Sequence, residues 1–354
     1  MRLSIKIRYN KDMIESNAKP DQKDASVVDR GAGDEERRFE AQLRPQTLDE
    51  FIGQDQLKAT LRIFLEAARG REEPIEHTLL YGNPGLGKTT LANIIASEMG
   101  SQLRITSGPA LERVGDLAAI LSNLQDGDVL FIDEIHRMNR TIEEILYPAM
   151  EDFALDLVVG KGPSARTLRL SLNRFTIIGA TTRLSLLSSP LRDRFGMTCQ
   201  LDFYRPDDMA RIVERSARLL DIEMDSATGR AIATRSRRTP RIANRLLKRV
   251  RDYSQVKHEN RLNESIAHEA LNMLAIDTLG LNAADRSLLS LIIDKFGGGP
   301  VGIQTLAAAC QQATSTIEEV HEPFLMQIGF LKRTPQGRMA TEHAYSHLET
   351  PHQT

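Results

Sequence analysis

Five short apolar runs punctuate the middle of the chain: HTLLY (77–81), LRIT (103–106), DVLFI (128–132), FTIIG (175–179) and TCQLDF (198–203). Runs this short, bounded by polar residues, predict buried strands. Between them apolar residues recur every three or four positions, as in TTLANIIASEM (89–99), where Gly100 closes a predicted helix. Strands alternating with helices imply a mostly parallel α/β sheet. A longer segment, ALDLVVGKGPSARTLRLSL (154–172), reads as a hairpin inserted before the fourth of these strands. Leu155, Leu157 and Val159 fall on one of its faces, Asp156 and Val158 on the other.

After about residue 204 the strand pattern stops. Helical spacing covers 207–220, 226–238, 240–256 and 265–277, with Pro240 at a first-turn position. From 278 a third unit begins, with helices expected over 284–296, 302–310 and 315–328, and Ser315 and Glu318 at capping-box spacing. GFLKRTPQGRMAT (329–341) then reads as strand, turn, strand. Three helices closed by a basic hairpin outline a winged helix. Residues 1–41 are polar and lack sustained periodicity, which predicts a disordered or loosely attached arm. The expected organisation is therefore an arm (1–41), an α/β core (42–203), a small all-α domain (204–277), a winged helix (278–348) and a tail (349–354).

Composition narrows the partners. With 46 Lys and Arg against 48 Asp and Glu, the net charge of −2 gives no overall attraction to polyanions, so any nucleic-acid surface is a local patch. Residues 229–251 carry a run of Arg and Lys and no acid; a DNA-facing surface is one reading, and a solvated helical face with Arg241 turned inward is the favoured one. Cys199 and Cys310 have no paired spacing, against a disulfide framework or a cysteine zinc site. No apolar stretch approaches the roughly 20 residues of a membrane span, and the N-terminus lacks the apolar region of a secretory leader. A cytoplasmic protein is expected.

The chemistry begins at LLYGNPGLGKTT. Gly82, Gly87, Lys88 and Thr89 satisfy G-x-x-x-x-G-K-[ST], after a strand and before a helix. Backbone N–H groups of such a loop surround a polyphosphate, the lysine reaches its terminal phosphates, and the hydroxyl binds Mg²⁺. DVLFIDEIH ends a strand in Asp133 and Glu134, an acid for the Mg²⁺ shell and a neighbour able to polarise water. In IIGATTR, Thr181 or Thr182 is positioned to meet the γ-phosphate, or else simply caps the next turn. SSPLRDRFG sets Arg192 and Arg194 around Asp193. Either an arginine serves a neighbouring subunit's phosphates in a ring, or the three residues form a structural ion-pair cluster.

Taken together, LRPQTLDEFIGQ, YGNPGLGKTTLA, GDVLFIDEIHR, LYPAMEDF, GKGPSAR, IGATTR, SSPLRDRFG, RTPRIANRLLKRVRD and KFGGGPVG resemble the RuvB family of bacterial Holliday-junction branch-migration ATPases, from about residue 42 to 348. The resemblance implies an α/β AAA+ P-loop core, a parallel sheet with flanking helices, followed by a small all-α lid and a C-terminal winged helix, working as homohexameric rings on duplex DNA. It implies ATP and Mg²⁺ as ligands and the junction-binding protein RuvA as partner, with the junction resolvase RuvC in a larger complex. It assigns Lys88, Thr89 and Thr90 with Gly82, Gly85 and Gly87 to the phosphates, Thr89 and Asp133 to Mg²⁺, Glu134 to water activation and Thr182 to sensing. Arg194 becomes the trans-acting finger, Arg192 a local structural or interface residue, and Arg241 the lid sensor. Leu43, Arg44, Glu151, Asp152, Phe153 and Tyr204 fall at other nucleotide contacts.

By the same resemblance the hairpin grips RuvA through Leu155, Leu157 and Val159, and Lys332, Arg333 and Arg338 of the wing bind DNA phosphates. The chain departs from the family at Asn83, usually proline, at Gln336, often basic, and in ACQQATSTIEEVHEP, usually a more acidic turn. Two other readings compete: a clamp-loader or initiator-like ATPase, and a nucleotide switch that does not hydrolyse. The hairpin insertion and the winged C-terminus favour the translocase over the first. Glu134 and the finger argue against the second.

Overall fold

The computed structural model describes residues 39–159, 166–259 and 261–348. Most of the expected arm, the hairpin tip at 160–165 and the tail lie outside the described residues. Residues 39–43 are helical, where irregular chain was expected to 41.

The core is built from α1 (Asp55–Arg71), β1 (Thr78–Tyr81), α2 (Lys88–Glu98), β2 (Leu103–Ser107), α3 (Val114–Ser122), β3 (Val129–Asp133) and α4 (Arg140–Glu151). A hairpin follows, β4 (Ala154–Val159) and β5 (Arg166–Ser171), then β6 (Thr176–Thr181), the short α5 (Ser189–Arg192) and β7 (Met197–Gln200). The five strands outside the hairpin form one parallel sheet in the order β2-β3-β6-β1-β7. Because strand side chains alternate, Leu79, Leu130, Ile132 and Ile177 supply the core on one face, and Leu80, Phe131 and Ile178 that on the other. The parallel arrangement aligns the C-terminal ends of all five strands, and ligands of open α/β sheets bind at that edge.

The lid contains α6 (Pro206–Leu219), α7 (Ser226–Thr234), α8 (Pro240–Lys257) and α9 (Glu264–Met273). Its apolar positions, among them Val213, Ile232, Leu247 and Leu271, join the same cluster as the second sheet face. Lid and core thus share buried surface. The winged helix differs, since among the described residues its apolar core draws only on those from Leu281 onward. Its hairpin, Leu331–Thr334 against Gly337–Ala340, forms as the sequence predicts.

Two expectations need correction. The capping box of Ser315 and Glu318 does not form. The helix starts at Thr314 without a side-chain cap, because Glu318 pairs instead with Arg183 and Arg338. Nor is the basic stretch 229–251 a uniformly solvated face, since Arg235 and Arg237 are buried. Arg237 donates from Nε to Gly280 O at 2.9 Å and pairs with the fully buried Asp285, which also meets His321 Nδ1 at 2.6 Å. A buried guanidinium demands such partners. Here they join the lid to the winged helix.

Candidate functional site

The phosphate loop lies between the C-terminal end of β1 and the start of α2. Gly85 (φ 79°) and Gly87 (φ 108°) adopt left-handed backbone that side-chain-bearing residues rarely take. A Cβ on Gly82 would stand 2.4 Å from Leu201 O. Helix α2 begins at Lys88 with no side-chain cap, so its first amides have no partner within the helix and its positive dipole end faces the loop. Lys88 is 8% exposed, and its Nζ donates to Gly82 O at 2.7 Å and Asn83 O at 2.9 Å. Burial pushes its ammonium down to about 8, with the Arg241 charge adding to the fall and Asp133 and Glu134 opposing it. Thr89 and Thr90 follow on the same first turn, half-buried. A deep lysine folded onto its own loop, ringed by glycines, is a cradle for a polyanion.

Asp133 ends β3 two strands away, and Glu134 leaves the strand with φ 47°, a strained conformation for a non-glycine residue. The Glu134 amide donates to Asp133 Oδ1 at 2.9 Å, while its carboxylate pairs with Arg137 Nη1 at 2.7 Å. On β6, Thr181 is buried and its hydroxyl is committed locally. It accepts from the Arg183 amide at 3.0 Å and meets His136 Nδ1 at 2.9 Å. Burial lowers the His136 pKa, which favours a neutral ring accepting from the threonine hydroxyl. Thr182 stands beside it, half-buried, at the same strand end.

The lid closes over this edge. A Cβ on Gly85 would lie 2.8 Å from Thr239 Cγ2 and 3.0 Å from Arg241 Cβ. Glycine therefore lets the Thr239–Arg241 turn rest on the phosphate loop, and the Arg241 charge reaches Lys88. Tyr204 is buried under Gly53 and Gly87 and donates its hydroxyl to Leu86 O at 3.0 Å. Burial drives its phenol pKa upward. Leu43 is buried, its carbonyl accepting from Arg215 at 2.8 Å, and Arg44 is half-buried beside it.

Arg194 lies at the other edge of the sheet. It precedes β7, whose Met197 is in register with Thr78 at the start of β1. Its guanidinium donates to Pro190 O at 2.6 Å and Glu151 Oε2 at 3.3 Å, and stacks 4.2 Å from the Tyr147 ring centroid. Its Nε, 3.3 Å from Glu151 Oε1, lacks hydrogen-bond geometry and has no acceptor among the described residues. Asp152 pairs with Arg169 at 2.8 Å, and Phe153 stacks edge-on against Phe175. The predicted residues thus fall into two groups. Gly82 to Thr90, Asp133, Glu134, Thr182, Tyr204 and Arg241 gather at the C-terminal edge. Glu151 to Phe153 and Arg194 occupy the N-terminal edge, about 10 Å of strand away. Arg192 is exposed, and among the described residues neither arginine pairs with Asp193. The structural Arg–Asp–Arg cluster does not form.

Two peripheral expectations change. Leu155 is fully buried in the core with Phe175 and Ile177, so it anchors the hairpin and offers nothing to a partner. Among the described side chains of the hairpin, Leu168 and Leu170 on the returning strand are exposed apolar positions, opposite Leu157 and Leu155 in register. Val159 is in register with Arg166. On the wing, Lys332 and Arg333 are exposed, but Arg338 is 6% exposed and bound by Glu322 and Glu318. It braces the wing from within. Sequence reasoning missed His136, Arg137 and Arg183, which surround the acids and the sensor strand. Their signal was present as polar residues just beyond the ends of two buried strands.

The family model described as the Holliday junction DNA helicase RuvB P-loop domain matches residues 43–201. The RuvB AAA lid domain matches 204–277 and the RuvB C-terminal winged helix domain 278–349. The Holliday junction branch migration complex subunits RuvB of Chloroflexus aurantiacus and Chloroflexus aggregans are each 59% identical to this chain, over 92% of it and 93% of their own length. Among solved structures, the Thermotoga maritima RuvB Holliday junction branch migration motor is 50% identical with a TM-score of 0.80, covering 88% of this chain and 99% of its own. A Thermotoga maritima RuvB mutant, 51% identical, has a TM-score of 0.81, covering 87% of this chain and 98% of its own.

Proposed function

This chain belongs to the RuvB family of P-loop ATPases, and from that premise we propose that it is a ring motor that hydrolyses ATP to drive branch migration of Holliday junctions. The observation that carries the ring is the separation of Arg194 from Lys88 across the sheet. An arginine held at the N-terminal edge by Glu151 and Pro190 is useless to its own phosphate loop and available to a neighbour's. Head-to-tail repetition of that contact closes a ring, for which six subunits are proposed.

Within one site, the loop amides and Lys88 hold the polyphosphate. Thr89 and Asp133 are the side chains that would hold Mg²⁺, a hard cation that takes oxygen donors and shares phosphate oxygens. When bound, it neutralises charge on the β- and γ-phosphates. Glu134 orients the attacking water, which requires its carboxylate to leave Arg137. Arg194 of the adjacent subunit, with Glu151 to Phe153 beside it, stabilises the charge that develops on the γ-phosphoryl group. Leu43, Arg44 and Tyr204 flank the nucleotide, and Thr182 and Arg241 sense the loss of phosphate. Because Arg237, in the turn that leads into the helix bearing Arg241, is ion-paired to Asp285, lid rotation carries the winged helix with it.

DNA is gripped through its backbone by Lys332 and Arg333, without sequence preference. The apolar hairpin, with Leu157, Val159, Leu168 and Leu170, meets RuvA, and RuvC joins the larger assembly. Among the described residues no helix is long and apolar enough to cross a membrane, and a cytoplasmic site of action is proposed.

The test is a synthetic four-way junction incubated with this protein, its RuvA partner and ATP. Junction dissociation that Glu134→Gln slows by about 10²-fold or more supports the reading. ATP turnover without any junction processing would sink it.

A further inference from the structure

We propose that Arg183 is a positioning residue that ties the nucleotide-facing edge of the sheet to the DNA-binding winged helix, so that nucleotide and duplex are sensed through one chain of ion pairs. The inference rests on the motor reading above and adds to it the route by which the two sites communicate within a subunit.

Arg183 follows directly on Thr182. Its amide donates to Thr181 Oγ1 at 3.0 Å, and Thr181 in turn meets His136, two residues beyond Glu134. The side chain leaves the core altogether. Nη2 lies 3.2 Å from Glu318 Oε2 and 2.8 Å from Glu319 Oε1, both on the winged helix. Glu318 is shared, its other oxygen standing 3.4 Å from Arg338 Nη2 at the base of the wing. Polar contacts therefore run without a break from His136, just beyond Asp133 and Glu134, to the strand that carries the wing.

Arg183 and Glu318 are each 29% exposed, so their attraction is screened less than that of a surface pair. Among the described residues the winged helix shares no apolar core with the sheet, and an attachment made by charges can open and close where a packed one would resist. A duplex phosphate bound by the exposed Arg333, in register with Arg338 across the wing, pulls on the hairpin and loosens the hold of Arg338 on Glu318. Glu318 then turns more fully to Arg183 and biases the end of β6. Linkage requires the converse, that whatever moves β6 changes DNA affinity by the same factor.

The experiment measures duplex affinity of the full-length protein by fluorescence anisotropy with ATPγS and with ADP. The ratio of the two dissociation constants reads the coupling. Arg183→Glu and Glu319→Arg should each move that ratio toward one by about fivefold or more, and the two together, which restore an opposite-charge pair, should recover most of it. Glu319→Arg alone should leave ATP turnover without DNA at its wild-type rate. Single variants with the wild-type ratio would overturn the proposal, as would a double variant no better than either single. A wild-type protein that turns over no ATP would overturn the motor reading and this inference with it.

Discussion

Arg194 and Lys88 stand at opposite edges of one parallel sheet, the first before β7 and the second beyond β1. In the proposed ring, that separation would place the finger at the interface between subunits.

Lys88→Ala and Arg194→Ala proteins should each be nearly inactive as ATPases, since a finger contributes about 10³–10⁵-fold. A one-to-one mixture with duplex DNA should recover a substantial part of wild-type turnover, because an intact loop then meets an intact finger in some interfaces. A mixture as inactive as its components would return Arg194 to a role within its own subunit.

The depressed Lys88 predicts a pH dependence of nucleotide binding. In the free protein its ammonium titrates at about 8, and a bound polyphosphate favours the charged form. Affinity for ATPγS should be flat below that pH and weaken by up to ~tenfold per unit above it, with proton uptake visible by calorimetry in buffers of different ionisation enthalpy. The linked effect on stability has the opposite sense. From about 8 to the usual 10.5 the unfolded chain binds the extra proton, so in that window Lys88 contributes stability that grows with pH.

The two leucines of the hairpin should separate in their effects. Leu155→Ala should destabilise the protein by about 2–5 kcal/mol in denaturant unfolding, since the side chain is fully buried. Leu168→Ser removes an exposed apolar residue and should leave the melting temperature near wild type while weakening capture of RuvA. Unchanged capture by the serine variant would place the partner surface elsewhere.

The wing arginines should likewise divide. Arg333→Ala should weaken duplex binding for every sequence and lower the salt slope of log K by about one. Arg338→Ala leaves Glu322, itself 3% exposed, without its partner, and should cost about 3–5 kcal/mol of winged-helix stability. If Arg338→Ala instead unfolded like wild type and only lost DNA, the brace would be no brace.

The five strands, the phosphate loop and the acids after β3 were legible in the chain because each depends on neighbours in sequence. A buried strand needs a short apolar run, a phosphate loop needs glycines at set spacing before a helix, and strand-end acids follow their strand. Register, and with it the choice between Thr181 and Thr182 as the locally committed hydroxyl, was not legible, because His136 reaches Thr181 across 45 positions. The hairpin was visible as alternation, but alternation says only that Leu155, Leu157 and Val159 share a face. It does not say how far along that face the core extends.

What the sequence determined by itself is the family, the order of domains and the chemistry of the ATP loop. Only the tertiary structure decided that Arg194 faces away from Lys88, that Arg338 and Leu155 turn inward, and that Arg237 and Arg183 tie the winged helix to the rest. Those outcomes rest on contacts such as Arg237 with Asp285, 48 positions apart, and Arg183 with Glu318, 135 apart. A charged residue's partner is set by which elements packing brings within a few ångströms, and no local pattern of polar and apolar positions encodes that.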